Sequence, residues 1–296
     1  MSSPFVFAIT LNWNRRDDTL ECLESLTRLT YPNRRLLVVD NGSTDDSPQT
    51  IASRFPQVEQ ILNPANLGFA AGFNIGLRHA LDAGADFAFI INNDTYVAPD
   101  SLEVLVKAAK PAEVGIVAPV IYYATAPERV WSSGGGRSLV TLDLTGNHGR
   151  EQKLTTIAER EFVSGCAMLI KREVLQRVGL FDEQFFMYYE DSDYCLRTRQ
   201  AGFKLLVMSR ARLWHKVSAS SNGSDTPSER YWMGRSSSLF YRKHIRGWRW
   251  LILVPWRLGS IIKTLWRLWQ TGSADSAWMY LHGVWHGLVL SEWRPR

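Results

Sequence analysis

The side chains in this 296-residue chain best suited to chemistry are carboxylates that follow apolar runs. In "FAFIINNDT" (87–95) five apolar residues lead into Asn92, Asn93 and Asp94. Oxygen-bearing side chains at the end of a buried strand can hold a hard cation. The competing reading is a polar turn in which Asp94 caps a helix starting near Pro99-Asp100. Asp40 opens "DNGSTDDS" (40–47) after another apolar run. It can accept two hydrogen bonds from a base or ribose, or close an Asx turn. Asn66, Gly68 and Asn74 in "NLGFAAGFNIG" (66–76) offer either a nucleotide cradle or close helix–sheet packing. Glu190-Asp191, with Asp193 behind and the aromatic run 185–189 in front, can supply a general base or simply an acidic helix start. His215 in "LWHKVS" (213–218) can join Asp94 on a metal, Mn²⁺ more readily than Mg²⁺, or be an ordinary half-buried histidine.

Such groups act together only if strands bring them to one edge. Residues 5–11, 35–39, 58–62, 87–91 and 114–119 read as strands, alternating with helical stretches such as 16–29. That alternation predicts an α/β fold with its ligand at the carboxyl ends of the strands. Residues 162–170 read as a further strand and 191–201 as a helix closed by Gly202. The Gly- and Thr-rich stretch 121–156, with its "SSGGG" run, predicts hairpins and a mobile loop. No GxGxxG follows the first strand, which disfavours a dinucleotide fold of the NAD type.

Composition adds exclusions. Three widely separated cysteines, Cys22, Cys166 and Cys195, argue against a disulfide framework and a zinc ribbon, and fit a reducing cytoplasm. The N-terminus shows no basic region or apolar stretch suited to a signal peptide. The net charge is +5, but eight Lys/Arg against two acids fall within 243–296, which leaves −1 for residues 1–242. A nucleic-acid role loses its support there. Nine of the twelve Trp lie after residue 230, and "WRWLILVPWRLGSIIKTLWRLWQ" (248–270) repeats Trp and aliphatic residues at helical spacing between basic ones. An amphipathic helix of this kind reads as lying on an anionic membrane surface, or as packed on its own domain or a dimer partner.

In order, "AITLNWNR", "VVDNGSTDDS", "NLGFAAGFNIG", "IINNDT", "VSGCAMLIKREVL", "GLFDEQFFMYYEDSDYCLRTRQAGF" and "WHKVS" resemble the successive signatures of family 2 glycosyltransferases, in particular the bacterial rhamnosyltransferase-like branch. The resemblance covers roughly residues 5–240 and is most specific over 179–203. It implies a GT-A fold, a mixed, mainly parallel sheet flanked by helices, over residues 1–242, with residues 243–296 as a helical, Trp-rich basic extension. It also implies that Thr10, Asn12, Asp40, Asn66, Gly68, Asn74 and Asn93 line the nucleotide-sugar pocket. Asp94, helped by His215, would hold a divalent cation (Mn²⁺ or Mg²⁺), and Asp191 would be the catalytic base with Glu190 beside it. Asn92 stands where a strict DXD motif has its first carboxylate, which leaves Asp94 alone. The implied activity is inverting transfer of a sugar, rhamnose from dTDP-rhamnose first, to a glycan or polyprenyl-linked glycan in cell-surface polysaccharide synthesis. The setting would be the inner face of the cell membrane. A UDP-hexose or UDP-N-acetylhexosamine transferase of the same fold, or a non-catalytic membrane-docked glycan-binding protein, are the alternatives.

Overall fold

A computed structural model describes residues 3–145, 156–217 and 225–289. The expected loop within 121–156 thus lies partly outside the described residues. The first half alternates as its apolar periodicity requires: β1 (Val6–Asn12), α1 (Arg16–Thr27), β2 (Arg34–Asp40), α2 (Ser47–Arg54), β3 (Glu59–Leu62), α3 (Gly68–Asp82) and β4 (Phe87–Asn92). A short β5 (Thr95–Val97) and α4 (Ser101–Ala108) lead to β6 (Val114–Tyr123), β7 (Ala126–Ser132) and a small hairpin, β8 (Gly136–Arg137) with β9 (Leu144–Thr145). After β10 (Ile157–Arg160) come β11 (Ala167–Lys171), α5 (Arg172–Arg177), α6 (Glu190–Gln200), β12 (Lys204–His215), α7 (Pro227–His244), α8 (Arg249–Gln270) and α9 (Ala274–Val289).

Along the main sheet the order is β10-β12-β6-β11-β4-β1-β2-β3, with β5 added to β12 and β7 to β6. The four N-terminal strands are mutually parallel, whereas β11 runs antiparallel to both β4 and β6. Side chains alternate between faces, so Val6 and Ala8 join one core with α1 and α4, and Phe7 and Ile9 another with α3 and α6. Both faces are therefore dry, which is why these strands read as continuous apolar runs.

Register decides where the polar strand ends meet. Asn12 pairs with Asp40 and Leu11 with Asn92, so three strands finish level at one carboxyl edge. The 12-residue β12 was not legible, because exposed Arg210 and Arg212 interrupt its apolar pattern. It runs parallel to β6, and its last residue, His215, pairs with Thr95 of β5. That pairing brings the segment after Asp94 beside a residue 121 positions away. The strand expected over 162–170 is confined to Ala167–Lys171, preceded by a loop with one bridge, Gly135 to Phe162.

The C-terminal helices do not begin at residue 243. Helix α7 continues through it to His244, and a third cluster packs Leu239, Phe240, Ile245 and Leu253 against Leu142 and Phe185 of the body. Helices α7 and α9 cross closely: a Cβ on Gly283 would lie 2.0 Å from the Tyr231 carbonyl oxygen.

Candidate functional site

Two concavities meet at the carboxyl edge. The first, a cleft of about 460 Å³, is lined by Trp13, Asn14, Arg15, Asn41, Asn66, Gly68, Asn93 and Asp94, among others. The second, a cavity of about 530 Å³, contains Trp131, Arg137, Tyr188, Tyr189, Glu190, Asp191 and His215. Phe69, Asn92 and Met187 belong to both walls, so the two spaces adjoin.

A buried polar network underlies the cleft. Asn12 donates to Asp40 Oδ2 (2.7 Å), and Asp40 Oδ1 accepts from the Ser43 N–H (2.8 Å). The Thr19 hydroxyl donates to Asn12 Oδ1 (2.6 Å), and Asn93 Nδ2 donates to Thr19 Oγ1 (2.9 Å). The ends of β1 and β2, helix α1 and the β4–β5 turn are thereby locked together. Asp40 thus makes the Asx-type contact weighed above, and at 2% exposure its carboxylate supports the wall and does not line it. Asn41, which sequence reading passed over, lines the cleft itself. Its Nδ2 donates to Asn66 Oδ1 (2.9 Å) and to the Gly68 carbonyl (3.0 Å).

Asp94 lies at the end of the β4–β5 turn and caps no helix; the residue before α4 is Asp100, without a side-chain cap bond. It is 4% exposed and meets His215 Nε2 at 3.2 Å, while its carbonyl accepts the Lys216 N–H (3.0 Å). Burial alone would lower the His215 pKa; the neighbouring Cys166 and Asp94 outweigh it and push it up to about 11. Among the described residues no three His, Cys, Asp or Glu side chains gather as a metal cage. Asp94 offers a carboxylate at the mouth between cleft and cavity, and His215 becomes a second donor when a cation displaces the proton it shares with Asp94. Such a pair suits a cation whose remaining positions are filled by a ligand's oxygens and water, as Mg²⁺ and Mn²⁺ are commonly held on phosphates.

The cavity is built differently. Tyr188 and Tyr189 both adopt left-handed φ (66° and 67°), a conformation costing about 1 kcal/mol or more each for non-glycine residues. The preceding segment is gripped on two sides. Phe186 accepts the Phe69 N–H (2.7 Å) and stacks on Trp232 of α7 at 4.3 Å, and Ser236 donates to the Met187 carbonyl (2.7 Å). Gly68 is required here: at φ +83°, a Cβ would lie 2.5 Å from the Phe186 oxygen. The bend starts α6 with Glu190 and Asp191 turned into the cavity. Asp191 Oδ2 accepts the Gly165 N–H (3.0 Å) and Oδ1 the Ser192 N–H (2.7 Å). Glu190 is buried, its Oε2 has no partner among the described residues, and burial together with the Asp191 charge raises its pKa well above the carboxylate range. Burial and the neighbouring Asp191 charge thus favour the neutral form of Glu190, while two backbone N–H groups hold the Asp191 carboxylate.

Asp193, one turn along, is not in the cavity. Fully buried, it meets Arg197, Lys243 and His244, each at 2.7 Å. Burial would raise its pKa, but the His244 hydrogen bond and the two cations hold it down at about 2. This cluster fastens α7 to α6, which explains why the boundary expected at 242/243 falls inside a packed helix.

Of the nucleotide-pocket residues named from sequence, Asn66, Gly68 and Asn93 line the cleft, whereas Asn12 and Asp40 support it from behind. Thr10 is fully buried within β1. Asn74 is held away from the cleft: Oδ1 accepts the Phe181 N–H (3.0 Å) and Nδ2 donates to the Phe181 carbonyl (2.9 Å). That bond ties α3 to the segment before the Tyr188-Tyr189 bend. Asp94, His215, Glu190 and Asp191 do converge.

The family model for glycosyl transferase family 2 matches residues 8–179. The N-acetylglucosaminyl-diphospho-decaprenol L-rhamnosyltransferase of Mycobacterium tuberculosis is 30% identical over 262 residues, 81% of this chain and 84% of that protein. The dTDP-rhamnosyl transferase RfbF of Shigella flexneri is 23% identical, covering 81% and 80%. Among solved structures, the Pyrobaculum calidifontis mannosyltransferase in complex with GDP-Man and Mn²⁺ superposes with a TM-score of 0.62 at 17% identity, over 99% of this chain and 89% of that one. GalNAc-T7 with UDP, GalNAc and Mn²⁺ gives 0.61 at 17% identity, over 81% and 50%. The mixed sheet and its flanking helices are accordingly a GT-A fold, and the chain belongs to glycosyl transferase family 2, in its rhamnosyltransferase-like branch.

Proposed function

We propose that this chain is an inverting, cation-assisted glycosyltransferase that moves rhamnose from dTDP-rhamnose to a hydroxyl of a polyprenyl-linked glycan during cell-surface polysaccharide synthesis. The observation that carries this reading is the meeting of a cleft ending at Asp94 with a cavity ending at Asp191, across a shared wall of Phe69, Asn92 and Met187.

The nucleotide lies in the cleft against Asn41, Asn66 and Asn93, and its diphosphate reaches Asp94 and His215. A divalent cation held by those two side chains would neutralise charge developing on the leaving diphosphate. The acceptor sugar occupies the aromatic-walled cavity. Asp191, kept in place by the Gly165 and Ser192 N–H groups, takes the proton from the acceptor hydroxyl as that oxygen attacks the anomeric carbon. Glu190 sits beside it, where burial and the Asp191 charge favour its neutral form, able to donate a hydrogen bond. One displacement with one base inverts configuration, so no carboxylate nucleophile is required. The deciding experiment is Asp191→Asn assayed with dTDP-rhamnose and a lipid-linked N-acetylglucosamine acceptor. Near-normal turnover in that variant would overturn the assignment.

We also propose that residues 243–296 act as a peripheral anchor at the cytoplasmic face of the membrane, built upon α7 and not separate from it. Ile262, Trp266 and Trp269 of α8 are 59–68% exposed, with Lys263 among them. Among the described residues no helix is long and apolar enough to cross a membrane. A row of Trp and Ile beside basic residues suits an anionic lipid surface. Substituting all three by Ser should abolish co-sedimentation with phosphatidylglycerol vesicles; unchanged co-sedimentation would sink this part.

A further inference from the structure

Arg137 presents a charge that the mechanism above does not use. It stands at the end of the "SSGGGR" run, on β8, and lines the same cavity as Asp191. The residue is 9% exposed; Glu161 accepts its backbone N–H (2.6 Å) and Asp191 and Glu161 act on its charge, but among the described residues no carboxylate reaches the guanidinium at ion-pair distance. Its guanidinium donates to two backbone carbonyls, Leu142 (2.8 Å) and Ser192 (3.3 Å), stacks over Phe240 at 5.2 Å, and leaves Nε without a partner. Carbonyls satisfy hydrogen bonds but do not cancel a full charge. A buried guanidinium with no carboxylate in direct contact is costly, and burial lowers its pKa although Asp191 and Glu161 act against that. A counter-charge arriving with the ligand would resolve that cost.

The walls around Arg137 indicate what kind of ligand brings it. Asp143, on the same hairpin, accepts hydrogen bonds from Tyr241 of α7 and from the Trp256 indole of α8. Arg249 of α8 clasps the Leu139 and Val140 carbonyls of that hairpin. The hairpin therefore walls the cavity on one side and seats on the helix with exposed Leu251, Trp256, Ile262 and Trp266 on the other. Beside Asp191, then, lie an aromatic-walled cavity, a buried cation in its wall, and an apolar helix face behind the hairpin that carries the cation. An amphiphile with a sugar, an anionic linkage and a hydrocarbon tail has three parts to match these.

Resting on the reading of this cavity as the acceptor site, we infer that Arg137 receives the phosphate of a lipid-linked acceptor, so that the enzyme selects glycosyl phosphates or diphosphates over neutral glycosides. The guanidinium has two terminal N–H groups beyond those given to Leu142 and Ser192, and phosphate is a good acceptor for such a fork.

The test compares two acceptors bearing the same N-acetylglucosamine, a short-chain isoprenyl diphosphate and an octyl glycoside without phosphate, in wild type, Arg137→Lys and Arg137→Met. The preference for the diphosphate acceptor, as the ratio of kcat/KM values, should fall about tenfold or more in Arg137→Met, mainly through KM, and recover in part in Arg137→Lys. Calorimetric binding of the diphosphate acceptor, without donor and without divalent cation, should weaken by a similar factor. An equal loss for both acceptors would reduce Arg137 to a clasp for the hairpin and overturn the proposal, as would unaltered binding in Arg137→Met. Inorganic diphosphate binding as tightly as the acceptor would mark a site for free anions and overturn the lipid-linked assignment. If neither acceptor takes up sugar, the proposed reaction fails, while the binding comparison still decides the role of Arg137.

Discussion

The cleft and the cavity share a wall but are built on opposite physical terms. In the cleft nearly every polar side chain already has a partner: Asp40 holds Asn12, Asn12 holds Thr19, and Thr19 holds Asn93. Short hydrogen bonds between buried groups make that side rigid before any ligand arrives. In the cavity the pattern reverses. Two tyrosines sit in left-handed backbone, and Glu190 Oε2 and Arg137 Nε lack hydrogen-bond partners among the described residues. Strain and unmatched polar groups cost free energy and persist where the surroundings impose them, often where chemistry is done. On the proposed reading, the rigid cleft binds the same nucleotide moiety each time, and the cavity is where the reaction takes place.

Substitutions on either side should reveal this difference. The largest effect belongs to Asp191→Asn, which should lower kcat by about a thousandfold or more while calorimetry finds donor affinity close to wild type. A parallel loss of donor affinity would blur the distinction between the two spaces. Asp94→Ala should weaken donor binding and remove its Mn²⁺ dependence; donor titrations still responding to Mn²⁺ would disqualify Asp94 as the ligand. Asp193→Asn tests the scaffold that holds the cavity closed, and should cost roughly 3 kcal/mol in chemical denaturation at pH 7. Its folded pKa, about 2, lies below the usual carboxylate value. The contribution of Asp193 should therefore be complete at pH above about 4 and fade as pH falls toward 2, and the gap between wild type and variant should close with it.

The smallest effect separates the two neighbouring acids. Because the Glu190 pKa is raised in the folded protein, ionising this carboxyl opposes folding, and wild-type stability should decline as pH rises above the unfolded value of about 4. Glu190→Gln keeps the shape of the neutral acid and removes that decline. Thermal denaturation at pH 8 should show the variant at least as stable as wild type, with kcat reduced less than about tenfold. A loss matching that of Asp191→Asn would mean that Glu190, not Asp191, carries the proton.

The positions of Asp40, Asp94 and Glu190-Asp191 were legible because each follows an apolar run or opens a helix. Those local patterns reflect burial on a two-faced sheet. The roles of Asp40 and Asn74 were less legible. Each has the residue type of a ligand contact, yet each is spent on a neighbour, Ser43 and Asn12 in one case and Phe181 in the other. Only packing distinguishes an amide that faces a cleft from one that faces a loop. Arg137 gave no signal at all, since an arginine after a glycine run reads as a surface loop residue.

By itself the sequence determined the alternation of strand and helix, the polar turns that follow the apolar strands and the basic, Trp-rich character of residues 243–296, because these depend on periodicity and composition along the chain. Sequence reading placed His215 with Asp94 or left it an ordinary half-buried histidine; the tertiary structure brought the two together, because β5 pairs with β12 and so joins Asp94 to a residue 121 positions away. It also decided that α7 belongs to the catalytic body, through Asp193, and that α8 braces the hairpin carrying Arg137. These are long-range contacts between side chains whose local patterns are unremarkable, so their meaning exists only once the chain has closed upon itself.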